Sequence, residues 1–226
     1  MARSVIVTGG FGALGRAVAA AFAAAGDTVA RIDHAAAASD AMEEILDIGG
    51  VDLTDPEATG HALETVTLAH GGIDVLVNVA GGFAWETLDG GALETFTRMH
   101  AMNLVTNATI TRAALDALKA SQAGRIVNIG AGGALHAAAG MGAYAASKAG
   151  VHRLTEALAE ELADTAITVN AVLPSIIDTP ANRAAMPDAD PSGWVSPEAI
   201  AEVIVFLASP QARAISGALI PVTRGG

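Results

Sequence analysis

The chain has 226 residues, 52% of them apolar, a formal net charge of −12 and no cysteine. That length suits one sizeable core, a single domain spanning 1–226. The acidity argues against nucleic acid as a partner, and the missing cysteine excludes disulfides, thiolate catalysis and thiolate metal sites.

In chain order, the pattern predicts strands near 4–8, 28–33, 48–52, 73–78, 125–129, 167–172 and 218–222. Helical patterns lie between them, near 13–25, 55–69, 92–118, 141–163 and 197–208. Such alternation marks a parallel sheet with helices on both faces, here seven-stranded and doubly wound in the Rossmann manner. Asp55-Pro56-Glu57 and Ser196-Pro197-Glu198 each set a capping residue before a proline at a helix start. The Ala35–Ala38 run sits where a helix after strand two would fall, and a short or poorly formed one is expected. The segment 174–197 carries five prolines and no clear period, which predicts a substrate loop or lid. The chain enters its first strand without a signal peptide, and no apolar run is long enough to span a bilayer. A cytoplasmic location and no membrane partner are expected. No His/Asp/Glu cluster has metal-ligand spacing, so no metal is expected.

Three motifs carry chemistry. After the strand Ser4–Thr8, the loop Gly9-Gly10-Phe11-Gly12-Ala13-Leu14-Gly15 places Gly10, Gly12 and Gly15 as G-x-G-x-x-G ahead of a helix. In that context glycines admit a pyrophosphate close to backbone, and the helix N-terminus offers free N–H groups; a plain glycine-rich turn is the bland alternative. Asp33 ends the second strand, placed to bond both ribose hydroxyls and to repel a 2′-phosphate. It favours NAD(H), with NADP(H) as the alternative cofactor; a strand-end carboxylate in solvent is the other reading. Tyr144 and Lys148 share a helix face at i and i+4. A neighbouring ammonium is expected to lower the phenol pKa and suit it to proton exchange.

Taken together, these residues resemble the short-chain dehydrogenase/reductase family over essentially the whole chain. Further matches are Thr8-Gly9, Asp52-Leu53, Asn78-Val79-Ala80-Gly81, Asn103 and the Pro174–Thr179 loop. The resemblance implies that Gly9 to Gly15 cradle the cofactor pyrophosphate and that Asp52 and Leu53 face adenine. It implies that Asn78, Ala80 and Gly81 back the cofactor, and that Pro174, Ile177 and Thr179 contact the carboxamide end. Lys148 would bond the nicotinamide ribose, Tyr144 would move the proton, and Asn103 would continue a relay through water. The family also implies a small-molecule substrate and a homodimer or homotetramer paired through the helices 92–118 and 141–163.

Three positions depart from the family pattern: Ala13, Ser175 and Ala131. The last matters most, because the family's catalytic Ser normally lies thirteen residues before the Tyr. Quinonoid dihydropteridine reductases also lack that Ser. Val151-His152-Arg153-Leu154 and Asp178-Thr179-Pro180, with Asn182-Arg183, Met186-Pro187 and Trp194, resemble that subgroup. The implied activity is hydride transfer between nicotinamide and a carbonyl or quinonoid substrate. Its alternatives are pterin reduction specifically, or a dinucleotide-binding regulator with weak turnover. Around Ala131, His136 is a candidate replacement donor or a solvent histidine. Phe83 and Trp85 are candidates to stack on a flat substrate or to pack at the rim, and Trp194 to act as lid or anchor. Ser147 is read as a packing residue, and His152 as facing no site.

Overall fold

The computed structural model describes residues 2–40, 42 and 44–224. Seven parallel strands form one sheet in the order β3-β2-β1-β4-β5-β6-β7. They are β1 Ser4–Thr8, β2 Thr28–Ile32, β3 Ile45–Ile48, β4 Val75–Asn78, β5 Arg125–Ile129, β6 Thr168–Pro174 and β7 Leu219–Val222. The helices are α1 Ala13–Ala24, α2 Pro56–His70, α3 Glu94–His100, α4 Thr106–Ala120, α5 Gly142–Glu161, α6 Pro180–Ala185 and α7 Pro197–Leu207. All five residues of β1 are buried, which requires cover on both faces. Alternation along the strands then divides the core. Val5, Val7, Val75 and Val77 pack with Val18, Phe22 and Ile204 of α1 and α7. Ile6, Leu76 and Ile126 pack with Leu63, Ile110 and Leu158 of α2, α4 and α5.

The chain builds outward from β1 to β3, then crosses to place β4 on the other side of β1. Thr8 and Asn78 are register partners at the ends of those two strands. Strand order reverses there, leaving a crevice beyond the C-terminal ends. The Asp55 carboxylate accepts from Glu57 N, and the Ser196 hydroxyl accepts from Ala199 N. Both caps precede Pro at the first helical turn, as the sequence pattern predicts.

Four elements differ from expectation. The third strand is Ile45–Ile48, earlier than 48–52, because Gly49 packs onto the Ala36 carbonyl and Gly50 turns with φ 74°. Between β2 and β3 no helix occurs among the described residues; the Asp33 carboxylate accepts from Ala35 N and folds the chain into a turn instead. The helix expected over 92–118 is broken by a π-helical turn, Ala101–Val105, between α3 and α4. The segment 174–197 is partly ordered by α6, by a 3-10 turn at Pro191–Gly193 and by a bridge between Ile177 and Val195. Among the described residues, no helix is long and apolar enough to cross a membrane.

Candidate active site

A cavity of about 1520 Å³ opens along the crevice. Its first half is a cradle of backbone. Gly9 has φ +61°, and a Cβ there would meet the Ala80 backbone at 2.8 Å, so the glycine loop and the loop after β4 touch directly. Thr8 Oγ1 accepts from Ala80 N at 3.1 Å and ties the same two loops. A Cβ on Gly15 would run into the Gly9 carbonyl. Unlike α2 and α7, α1 has no side-chain cap and no acidic residue in its first turn. Ala13, Leu14 and Gly15 at its opening line the cavity, and the free N–H groups of a helix start fit a pyrophosphate. Gly9, Phe11 and Gly12 line the cavity as well. Gly10 does not; it is buried where a Cβ would collide with Arg31, so its need for glycine is packing rather than ligand approach.

Asp33 lies at the end of β2 on the cavity wall, its oxygens accepting from Phe11 N and Ala35 N at 2.9 Å each. Each oxygen keeps a second acceptor site for a ribose hydroxyl. The two nearby arginines are engaged elsewhere. Arg31, fully buried, makes a bidentate pair with Asp47 at 2.7 and 2.8 Å, reaches Asp40 at 3.4 Å and stacks over Phe11. The Asp47 hydrogen bond raises its pKa further. Arg16 donates to Ser39 Oγ at 3.0 Å and lies 3.7 Å from Asp40. Asp52 and Leu53 line the cavity from the loop after β3, and hydrogen bonds from Thr54 hold the Asp52 carboxyl below its ordinary range.

The second half holds the titratable pair. Tyr144 and Lys148 both line the cavity from α5. Lys148 Nζ donates to the Ile129 carbonyl at 2.7 Å, and burial pushes its pKa down to about 8. The Tyr144 ring meets Phe83 edge-on at 4.9 Å, and burial pushes the phenol up to about 12. This reverses the expected lowering: desolvation of the phenol prevails, while the ammonium is directed at a backbone carbonyl.

Asn103 sits in the π-helical turn, buried beneath the loop after β4 rather than on the cavity wall. Its Oδ1 accepts from Gly82 N at 2.9 Å; its Nδ2 donates to Gly82 O at 3.1 Å and to Ser147 Oγ at 2.9 Å. Ser147 donates in turn to Tyr144 O at 2.7 Å, a linking role that its adjacency to Tyr144 did not reveal. A Cβ on Gly81 would fall 2.5 Å from Asn103 Oδ1 and 3.4 Å from Lys148 Nζ, which places these groups side by side. Asn78 turns its side chain inward, donating to Thr111 Oγ1 and Asn128 Oδ1. It supports the sheet end, and Ala80 and Gly81 supply the wall instead.

Pro174, Ile177 and Thr179 line the opposite wall, and Thr179 Oγ1 accepts from Asn182 N to cap α6. Ala131 is buried and lines the cavity; exposed Phe83 and Trp85 line it with Met102 and Met141, two residues the sequence does not single out, and with Met186 of the Met186-Pro187 pair. His136 is exposed and off the cavity, so it supplies no donor there. Trp194 is buried and off the cavity, an anchor rather than a lid. His152, which had been expected to face no site, is buried behind Ala131, and its Nε2 accepts from Ala131 N at 3.2 Å. Burial, joined by the charges of Arg153 and Lys148 and opposed by Glu156, holds its pKa down. The signal was present: 144, 148 and 152 form one helical stripe. Among the described residues no group of three or more potential metal ligands occurs.

The short chain dehydrogenase family model matches residues 3–190. The chain is similar to 3-oxoacyl-[acyl-carrier-protein] reductase of Vibrio harveyi, 33% identical over 97% of this chain and 95% of that protein. It is also similar to acetoacetyl-CoA reductase of Allochromatium vinosum, 31% identical over 100% and 98%. Among solved structures, ligand-free aldohexose dehydrogenase of Thermoplasma acidophilum matches with a TM-score of 0.88 at 27% identity, over 98% of this chain and 92% of that one. 3-Ketoacyl-(acyl-carrier-protein) reductase from Brucella melitensis, complexed with NADH, matches with a TM-score of 0.87 at 27% identity, over 98% and 96%.

Proposed function

The chain belongs to the short-chain dehydrogenase family and is an NAD(P)-dependent oxidoreductase, and from that premise we propose that it reduces a conjugated, quinonoid acceptor with NADH. The observation that carries this reading is the wall at Ala131, which offers the acceptor a methyl group and no hydroxyl. Removing one oxyanion donor typically costs ~10²–10³ in the rate of a reaction that needs it. A quinonoid ring spreads incoming charge over its conjugated atoms and depends less on such a donor. The aromatic rings of Phe83 and Trp85 suit a flat acceptor.

Bound nicotinamide would supply the hydride chemistry. In this reading the start of α1 holds the pyrophosphate, Asp33 the adenosine ribose and Asp52 the adenine edge. Lys148 holds the nicotinamide ribose, Pro174, Ile177 and Thr179 the carboxamide end, and Tyr144 delivers the proton. NADH is preferred because Asp33 repels a 2′-phosphate while Asp40 and Asp47 occupy Arg16 and Arg31. The segment 174–197 acts as the substrate loop, and small-residue faces of α4 and α5 pair two or four copies. A second reading, reduction of a 3-oxoacyl thioester, is favoured by the names of the two curated relatives.

The test is the loss of NADH absorbance with quinonoid dihydropterin, simple quinones, acetoacetyl-CoA and unactivated ketones. The quinonoid acceptors should turn over fastest. Faster turnover of acetoacetyl-CoA would replace this reading by the second. Tight NADH binding with no turnover of any acceptor would leave a dinucleotide-binding regulator.

A further inference from the structure

Tyr144, Lys148 and His152 recur every four residues along one stripe of α5, and the last two reach the end of β5 and the residues after it. Lys148 Nζ donates to the Ile129 carbonyl at 2.7 Å, and His152 Nε2 accepts the Ala131 N–H at 3.2 Å. Between them, Gly130 N donates to Val172 O of β6 at 2.9 Å. Three consecutive residues are thus held by three hydrogen bonds from two elements. Gly130 lies directly on the imidazole, since a Cβ there would come 2.5 Å from Nε2. His152 is only 2% exposed and does not line the cavity, so none of the roles above uses it. Ala131 lines the cavity with a side chain that carries no hydroxyl, while its amide is taken up by His152. An accepting Nε2 requires the neutral imidazole with its proton on Nδ1.

We propose that His152 is a positioning residue: by accepting the Ala131 amide it fixes the apolar wall at residue 131 and steadies the carbonyl that holds Lys148. This rests on the reductase reading for its effect on turnover, but not for its structural part. A site walled in this way selects acceptors that need no second donor. Installing a hydroxyl at 131 would be productive only while His152 keeps that wall in place.

The experiment compares wild type, His152→Gln and His152→Met, each with and without Ala131→Ser. Amide hydrogen exchange at Ala131 is read in the ligand-free protein, and kcat and KM are read with the best acceptor and with a simple ketone. The Gln variant places Oε1 where Nε2 stood and should retain most of the exchange protection and turnover. The Met variant should lose about tenfold in both, the scale of one hydrogen bond, with KM for NADH within about twofold. Ala131→Ser should raise ketone turnover about tenfold when His152 is present and clearly less in the His152→Met background, which is the coupling expected of contacting residues. If His152→Met does not fold, His152→Asn, polar but too short to reach, takes its place with the same expectations. Unchanged protection at Ala131 in the non-accepting variant, a Gln variant as impaired as the Met variant, or equal gains from Ala131→Ser in both backgrounds would each overturn the proposal. Should wild type turn over no acceptor, the reductase reading fails, and the exchange measurement still decides the role of His152.

Discussion

Burial, more than pairing, sets the acid–base character of the two chemistry-bearing side chains. In the ligand-free protein Lys148 is lowered from 10.5 to about 8. Between those values the unfolded chain binds more protons than the folded one, so stability rises with pH across that window. Below about 8 the buried ammonium costs its full penalty. Tyr144, raised from 10.0 to about 12, acts in the opposite sense: the folded chain keeps a proton that the unfolded chain releases, and stability falls as pH climbs through that range. Lys148→Met should therefore be more stable than wild type at neutral pH, although the proposed ribose role of Lys148 predicts that its turnover is lost. The removed penalty is at most roughly 3 kcal/mol from the size of the shift, and the orphaned Ile129 carbonyl takes back roughly 1 kcal/mol. Urea midpoints against pH measure this. The advantage of the variant should shrink between about pH 8 and 10.5, and a pH-independent difference would contradict the buried-cation account.

At the scale of elements, the π-helical turn Ala101–Val105 is the feature with most consequence. It adds a residue to one helical turn and brings Asn103 under Gly82, where the amide satisfies both the N–H and the carbonyl of that residue. π-bulges recur at functional sites for such reasons. Asn103→Ala should lower stability by about 1–3 kcal/mol, since two part-buried backbone groups of Gly82 lose their partner. It should also lower turnover, because the same amide reaches Ser147 and through it the start of α5. Equilibrium unfolding and initial rates check both effects; full activity in a destabilised variant would separate Asn103 from the site. Nothing in Arg98-Met99-His100-Ala101-Met102-Asn103 announces a break, because the turn answers a tertiary need of Gly82 and not a local propensity. The same holds for Asn78, whose inward network depends on Thr111 and Asn128 from distant segments. The strands were legible for the converse reason: Val5-Ile6-Val7 and Val75-Leu76-Val77 are apolar without a gap, as two-sided burial demands. Caps and the glycine loop were legible because their chemistry is local. The sign of the Tyr144 shift was not, because it depends on how much protein surrounds the ring.

For the whole molecule, the reversal of strand order is what makes one crevice from two half-sheets. The start of α1 and Asp33 come from the β1–β3 side, and Ala80, Gly81, Lys148 and Thr179 come from the β4–β7 side. A ligand that spans both binds only the assembled sheet, so it stabilises the fold by mass action. At one hundred times its Kd that amounts to about 2.7 kcal/mol. A chain of this length gains roughly 2–4 °C in Tm per kcal/mol, so NADH at that excess should raise Tm by roughly 5–11 °C. NADPH at the same concentration should give a smaller shift. In the proposed binding mode its extra phosphate would meet the Asp33 carboxylate, while Arg16 and Arg31 are already paired with acidic side chains. Asp33→Ala should bring the two shifts together, chiefly by reducing the NADH response through loss of the ribose acceptor. This readout needs no substrate. Equal shifts with the two cofactors in wild type would remove Asp33 and its neighbouring arginines as the source of cofactor choice.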